Sequence, residues 1–313
     1  MAIGTRQIIE ELIELPVFVE LASDFLDREV PIFRDDVCIL ISQSGETSSI
    51  LSACQYCKDR DALVMGITNN IGSTLANATH FGICIHAGLE VSFSSTKTYT
   101  GQFLALVLFA LCLAGDKKHK QKRVKDIIAE IGALPEKIEE VLAKNDILRK
   151  VANKIYSNRS LLVMGRGYQQ AACLEGSFKI KEVANMHSEG IHSGELKHGP
   201  LALIEETMPI IMIILKDAVY DKSMNAIQQV MARNGHPILI CEEGDDVALA
   251  MSEDCITIPK TADCLAGILS IIPLQLLALH LANFRGNDID NPRDLQKTVI
   301  EEDVFVKSHN VER

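Results

Sequence analysis

The chain has 313 residues, 47% hydrophobic and 23% charged, enough for about two domains of roughly 150 residues, each with its own core. Its formal net charge is −11; an acidic chain gains nothing from the counterion release that drives nucleic-acid binding, which argues against that partner. Nine cysteines, an odd number, fall mostly in apolar runs (Cys38, Cys84, Cys112, Cys241), a pattern of reduced thiols in a cytoplasmic protein rather than of a disulfide framework.

Residues 6–14 read as a helix, and Arg6, Glu10, Glu11 and Glu14 argue against a signal peptide. Strand candidates follow at Val17–Val19, Val37–Ile41, Leu63–Thr68 and Gly82–His86. Cys54 and Cys57 form a CxxC, but in a helical stretch without a second pair or a histidine at metal spacing, so zinc is not expected. The apolar run Phe103–Ala114 is shorter than the about 20 residues that span a bilayer and reads as a core helix, with no membrane partner. The basic run Lys117–Arg123 reads as a solvated linker. A charged helical stretch, Val124–Ile155, leads to further strand candidates at Leu161–Met164, Pro209–Leu215, Pro237–Cys241 and Cys255–Ile258. Fully apolar strands separated by helices imply a parallel α/β sheet covered on both faces.

The order repeats. Val37–Ile41 matches Ile210–Leu215, Leu63–Thr68 matches Ile238–Cys241, and the apolar helix ending at Gly115 matches the one ending at Gly286. Each pair lies about 170 residues apart, as two copies of one unit would. The second copy opens with a strand and glycine turn, Leu161–Gly167. The first copy should open likewise, but its first strand is missing or reduced to Ala2-Ile3-Gly4.

Ser42-Gln43-Ser44-Gly45-Glu46-Thr47 joins a buried strand to the helical pattern Ser48–Lys58. Anions bind where a strand's carboxyl end meets a helix N-terminus, because free N–H groups and the helix dipole favour negative charge there. Three hydroxyls add donors, and Gly45 lets the backbone approach closely. The bland reading is a helix cap built on Ser44 and Thr47; a cap would not need three hydroxyls, which favours a phosphate. Without a lysine the loop implies neither a nucleoside triphosphate nor magnesium. Gly165-Arg166-Gly167 lacks the third glycine of a dinucleotide site. No cofactor or metal is expected.

Glu175, Lys179 and Glu182 lie on a helical pattern. Such a group is either an acid/base pair in a cleft or a surface ion pair, and spacing alone favours the surface. Residues 186–200, with His187, Glu189, His192, Glu195 and His198, are too polar and glycine-rich for a core segment and carry loop-like spacing without a metal motif.

Together these strings resemble the isomerase half of the glutamine–fructose-6-phosphate aminotransferase family: VELASDFLDR (19–28), SQSGET (42–47), STK (95–97), EGSFKIKE (175–182), HSEG (187–190), GELKHGPLAL (194–203), IIPLQLLA (271–278) and PRDLQK (292–297). The resemblance implies two flavodoxin-like sugar isomerase (SIS) domains, 1–145 and 146–299, the first lacking its first strand, and a polar tail over 300–313. It implies that Ser42, Gln43, Ser44 and Thr47 hold the phosphate of fructose 6-phosphate or glucosamine 6-phosphate, with Ser95 and Gln296 also at the substrate. Glu182 would carry the proton between C1 and C2, supported by Lys179. His198 would assist ring opening from the partner subunit of a homodimer, and Lys297 would form the imine with the ketose carbonyl.

The chain departs from that family in lacking its glutaminase domain and the Cys-Gly-Thr-Ser loop of the first strand. Ser92-Phe93-Ser94 stands where the family has Gly-Val-Ala, and Gln296 stands where it has alanine. These departures keep open a second reading, a phosphosugar-binding or regulatory module without turnover.

Overall fold

The structure is a computed structural model and describes residues 1–115 and 117–290. Its elements are α1 (Ala2–Ile13), α2 (Ala22–Asp27), β1 (Val37–Ile41), α3 (Ser48–Lys58), β2 (Leu63–Thr68), α4 (Thr74–Ala78), β3 (Phe81–Cys84) and α5 (Lys97–Ala114). Then come α6 (Gln121–Gly132), α7 (Leu134–Leu142), α8 (Asn145–Ile155), β4 (Ser160–Gly165), α9 (Gln169–Ala184) and β5 (His187–His192). Two 3₁₀ turns, Ser193–His198 and Pro200–Leu203, precede β6 (Ile210–Ile214), α10 (Tyr220–Met231), β7 (Pro237–Glu242), α11 (Asp246–Leu249), β8 (Cys255–Ile258) and α12 (Ala266–Arg285). Over the described residues the chain forms two compact units, one from 16–109 and one from 1–15 together with 110–290.

The Pro16–Phe109 unit is built on a parallel sheet in the order β1-β2-β3. Ala53, Cys54 and Cys57 on one face of α3 pack with Val64, Leu75 and Phe25 to make its core. This burial explains the CxxC spacing: both thiols are apolar packing groups, and all nine cysteines are free.

The other unit carries a five-stranded parallel sheet in the order β5-β4-β6-β7-β8. Every residue of β6 is buried, as a strand covered on both faces requires. Gly176 brings α9 against α12: a Cβ there would stand 2.3 Å from Leu274 Cδ1. β1, β2 and β3 repeat β6, β7 and β8 in order and direction. Among the described residues the first sheet has no counterpart of β4, and Ala2-Ile3-Gly4 belongs to α1.

Two expectations are corrected. Val17–Val19 is not a strand; Phe18 is 84% exposed, and an isolated three-residue run after Pro16 has no ladder to join. Residues 186–200 are not loop throughout, because β5 pairs with β4 from Ser160↔His187 to Gly165↔His192. As an edge strand β5 keeps Ser188 and Ile191 buried while His187 and Glu189 face out, so its sequence reads as polar. β3 also ends two residues early, since His86 turns at φ 49°. α5 and α12 are long and apolar enough to cross a membrane by length and composition, but more than half of each lies buried, as in core helices.

Gly176→Ala should lower stability by about 1–3 kcal/mol through overpacking, read by urea denaturation. Gly132→Ala, which meets nothing within 4 Å, should be neutral or slightly stabilising. Equal effects would show that α9 and α12 do not need the close approach.

Candidate active site

In the Pro16–Phe109 unit the Ser42 loop leaves β1 with its ladder still running: the Ser42 N–H donates to Ile67 O (3.1 Å). Ser42 is buried; its Oγ accepts from the Gly45 N–H (3.0 Å) and lies 3.0 Å from Thr47 Oγ1. Ser44 Oγ accepts from the Glu46 N–H (3.2 Å). The three hydroxyls are therefore gathered in the loop, and none caps α3, whose N-cap residue Thr47 makes no side-chain bond to its free N–H groups. This favours an anion over the cap reading. Gly45 sits at φ +71°, where a Cβ would stand 2.2 Å from Ser73 Oγ.

Residues that drew no notice in the sequence brace this loop. The Gln43 carbonyl accepts from the Asn69 N–H (3.0 Å), and the Gly45 carbonyl from the Leu75 N–H (3.0 Å). Glu46 Oε1 accepts from the Thr74 N–H (2.8 Å), which holds its carboxyl below the usual range. Asn69, directly after β2, donates to Gly88 O (2.8 Å) and accepts from the Ala87 N–H (2.9 Å). The connections after β1, β2 and β3 are thus tied together at the carboxyl edge of the sheet. The third leads to Glu90, whose carboxylate accepts from the Thr98 N–H (3.0 Å) in the first turn of α5. Ser95 lies half-buried just ahead of that helix. An Asn immediately after a strand was the one available signal for Asn69.

In the other unit α9 brings Lys179 and Glu182 together. Lys179 Nζ lies 3.0 Å from Glu182 Oε2 and 3.1 Å from Glu175 Oε1. The surface reading of this group is corrected: the Lys179 side chain is 5% exposed, because this face of α9 is covered by packing. One ammonium between two carboxylates leaves a net negative, largely dehydrated group, the setting in which a carboxylate can act as a base. His198 ends the first 3₁₀ turn with its side chain 75% exposed, 3.9 Å from Glu195. Arg166 backs that turn, its Nη2 only 2.5 Å from where a Cβ on Gly194 would be. Among the described residues no three His, Cys, Asp or Glu side chains converge as metal ligands. Gln296 and Lys297 lie outside the described residues.

A model of the SIS domain matches residues 2–112 and again 154–284. The chain belongs to the SIS domain family. The double match agrees with the repeat of β1-β2-β3 as β6-β7-β8. This SIS chain is 54% identical, over 95% of its length, to glutamine–fructose-6-phosphate aminotransferase [isomerizing] 1 of Rattus norvegicus, and 49% identical to the Saccharomyces cerevisiae enzyme over the same share. It spans 44% and 42% of those two relatives. Its fold matches the C-terminal domain of glucosamine-fructose-6-phosphate aminotransferase from Francisella tularensis with a TM-score of 0.87 at 30% identity, covering 92% of this chain and 82% of that one. The glucosamine-6-phosphate deaminase of Thermotoga maritima shares the fold with a TM-score of 0.77 at 23% identity.

Lys179→Met should destabilise the protein by about 1–3 kcal/mol, since it leaves two half-buried carboxylates without their shared lysine. Thermal unfolding at neutral pH reads the loss. Adding Glu175→Gln and Glu182→Gln to that variant should restore part of it; no restoration would show that packing, not charge, holds Lys179.

Proposed function

We propose that this chain binds fructose 6-phosphate or glucosamine 6-phosphate and performs ketose–aldose isomerisation in amino-sugar synthesis. The observation that carries the reading is the loop of Ser42, Ser44 and Thr47, whose hydroxyls gather beside an uncapped helix N-terminus. That arrangement suits a phosphate. Ser42, Gln43, Ser44 and Thr47 hold it, with Ser95 and Gln296 toward the sugar. Glu182 carries the proton between C1 and C2, and Lys179 positions it. Lys297 takes the ketose carbonyl as an imine. His198 assists ring opening across the interface of a homodimer, which its exposed side chain supports. The working division is two SIS domains, 1–145 and 146–299, with a tail over 300–313, in a cytoplasmic protein. Similarity to the isomerizing aminotransferases supports this assignment over a module without turnover.

A coupled assay for glucose 6-phosphate formed from fructose 6-phosphate tests the assignment. Glu182→Gln should lower kcat about 10²–10⁴-fold, the usual contribution of a positioned base. Thr47→Ala should mainly raise KM. Wild-type activity no higher than that of Glu182→Gln, with calorimetry showing fructose 6-phosphate bound, would leave the binding module as the function.

A further inference from the structure

The five-stranded sheet has a cavity of its own at the position that the Ser42 loop occupies in the first sheet. Strand β6 is the counterpart of β1, so Leu215-Lys216-Asp217 stands where the repeat places Ser42-Gln43-Ser44. In this sheet the strand order reverses: β4 leads through α9 to β5 on one side, and β6 lies on the other. In open parallel sheets ligands bind outside the carboxyl ends at such a point. A cavity of about 230 Å³ opens there, between Gln169 after β4, Lys216 and Asp217 after β6, Glu242 at the end of β7, and Lys260 after β8. At liquid density that is room for about eight waters, hence for a monosaccharide-sized molecule.

The floor of the cavity is chemically incomplete. Gln169 is 2% exposed, and its Oε1 accepts from Ser270 Oγ (2.6 Å). Its Nε2 has no hydrogen-bond partner among the described residues. Buried amide donors are nearly always satisfied; this nitrogen is closed off from solvent beside the cavity, so a rotation of the side chain would bring it to an oxygen there. Asp217 is half-buried; one oxygen accepts from the Val219 N–H (2.9 Å), and burial pushes its carboxyl above the ordinary range. On the wall, Arg123 is already taken up by Glu11 (3.0 Å) and Asp263 (2.5 Å) and has a structural role. At the mouth, Lys260 is exposed and has no partner among the described residues. Lys216 there makes only a 3.2 Å bond to Gly244 O and stands 3.8 Å from Asp245.

We propose that this cavity is a second sugar site, taking a monosaccharide-sized polyol with one acidic group, its hydroxyls on Gln169 and Asp217 and its acidic group on Lys216 and Lys260. A carboxylate and a carboxamide side by side serve the donor and acceptor sides of sugar hydroxyls. The first site has a hydroxyl-lined loop and no lysine in it. The second has lost those hydroxyls and carries two lysine side chains at its mouth instead.

Equilibrium dialysis of the full chain with labelled glucose 6-phosphate tests the proposal. Wild type should bind two equivalents per chain. Thr47→Val should remove one and leave the other. In the Thr47→Val background, Lys260→Glu, at an exposed position, should weaken the remaining equivalent at least tenfold, and Gln169→Leu should do the same. Unphosphorylated glucose should bind that pocket at least tenfold more weakly than glucose 6-phosphate. Hydrogen exchange should show protection over residues 215–220 and 259–263 when glucose 6-phosphate is added to Thr47→Val. Loss of all binding in Thr47→Val, or a residual equivalent indifferent to both Lys260→Glu and Gln169→Leu, would overturn the proposal. The Ser42 loop is judged separately, by the equivalent that Thr47→Val does or does not remove.

Discussion

Parallel pairing is the constraint on which both sites depend. When β1, β2 and β3 run the same way, every connection that follows a strand emerges at one edge of the sheet. Each next helix then presents its free N–H groups near that edge. Three loops distant in sequence become neighbours, and Asn69 fastens them by bonding to the connections on both sides. An antiparallel sheet would send alternate loops to the opposite edge. The hydroxyls of Ser42, Ser44 and Thr47 could not then share an edge with the connection that leads to Ser95. The same constraint in the five-stranded sheet places Gln169, Lys216 and Lys260 around one cavity.

Within that frame the two units solve different electrostatic problems. The Ser42 loop turns its one carboxylate, Glu46, to the Thr74 N–H and offers oriented dipoles, which are organised by Gly45 and the serine hydroxyls. The α9 group works through charge, with Lys179 dehydrated between Glu175 and Glu182. A cation so placed bridges two carboxylates on one face of the helix.

The strands that were legible in the sequence are continuous apolar runs, whether central like β2 or at a sheet edge like β1 and β8. Val37–Ile41, Leu63–Thr68 and Cys255–Ile258 have the expected bounds, because a continuous apolar run leaves few alternatives. β5 was not legible: only Ser188 and Ile191 are buried in it, and His187, Glu189 and His192 break up any apolar run. The SQSGET loop was legible from residue type and position between a strand and a helix, and its braces at Asn69, Ser73 and Glu90 were not. They are single polar residues: Asn69 and Glu90 bond to groups 19 and 8 positions away, and Ser73 bonds locally to Asn70 O.

The sequence by itself determined the fold class, the internal repeat and the residue types of the Ser42 loop. Each of these is written in local composition and period. Only the tertiary structure decided that Lys179 is buried rather than on the surface, and that Gln169 lies at the floor of a cavity with an amide left over. Spacing along a helix says which side chains share a face, and packing against other elements decides whether water reaches it.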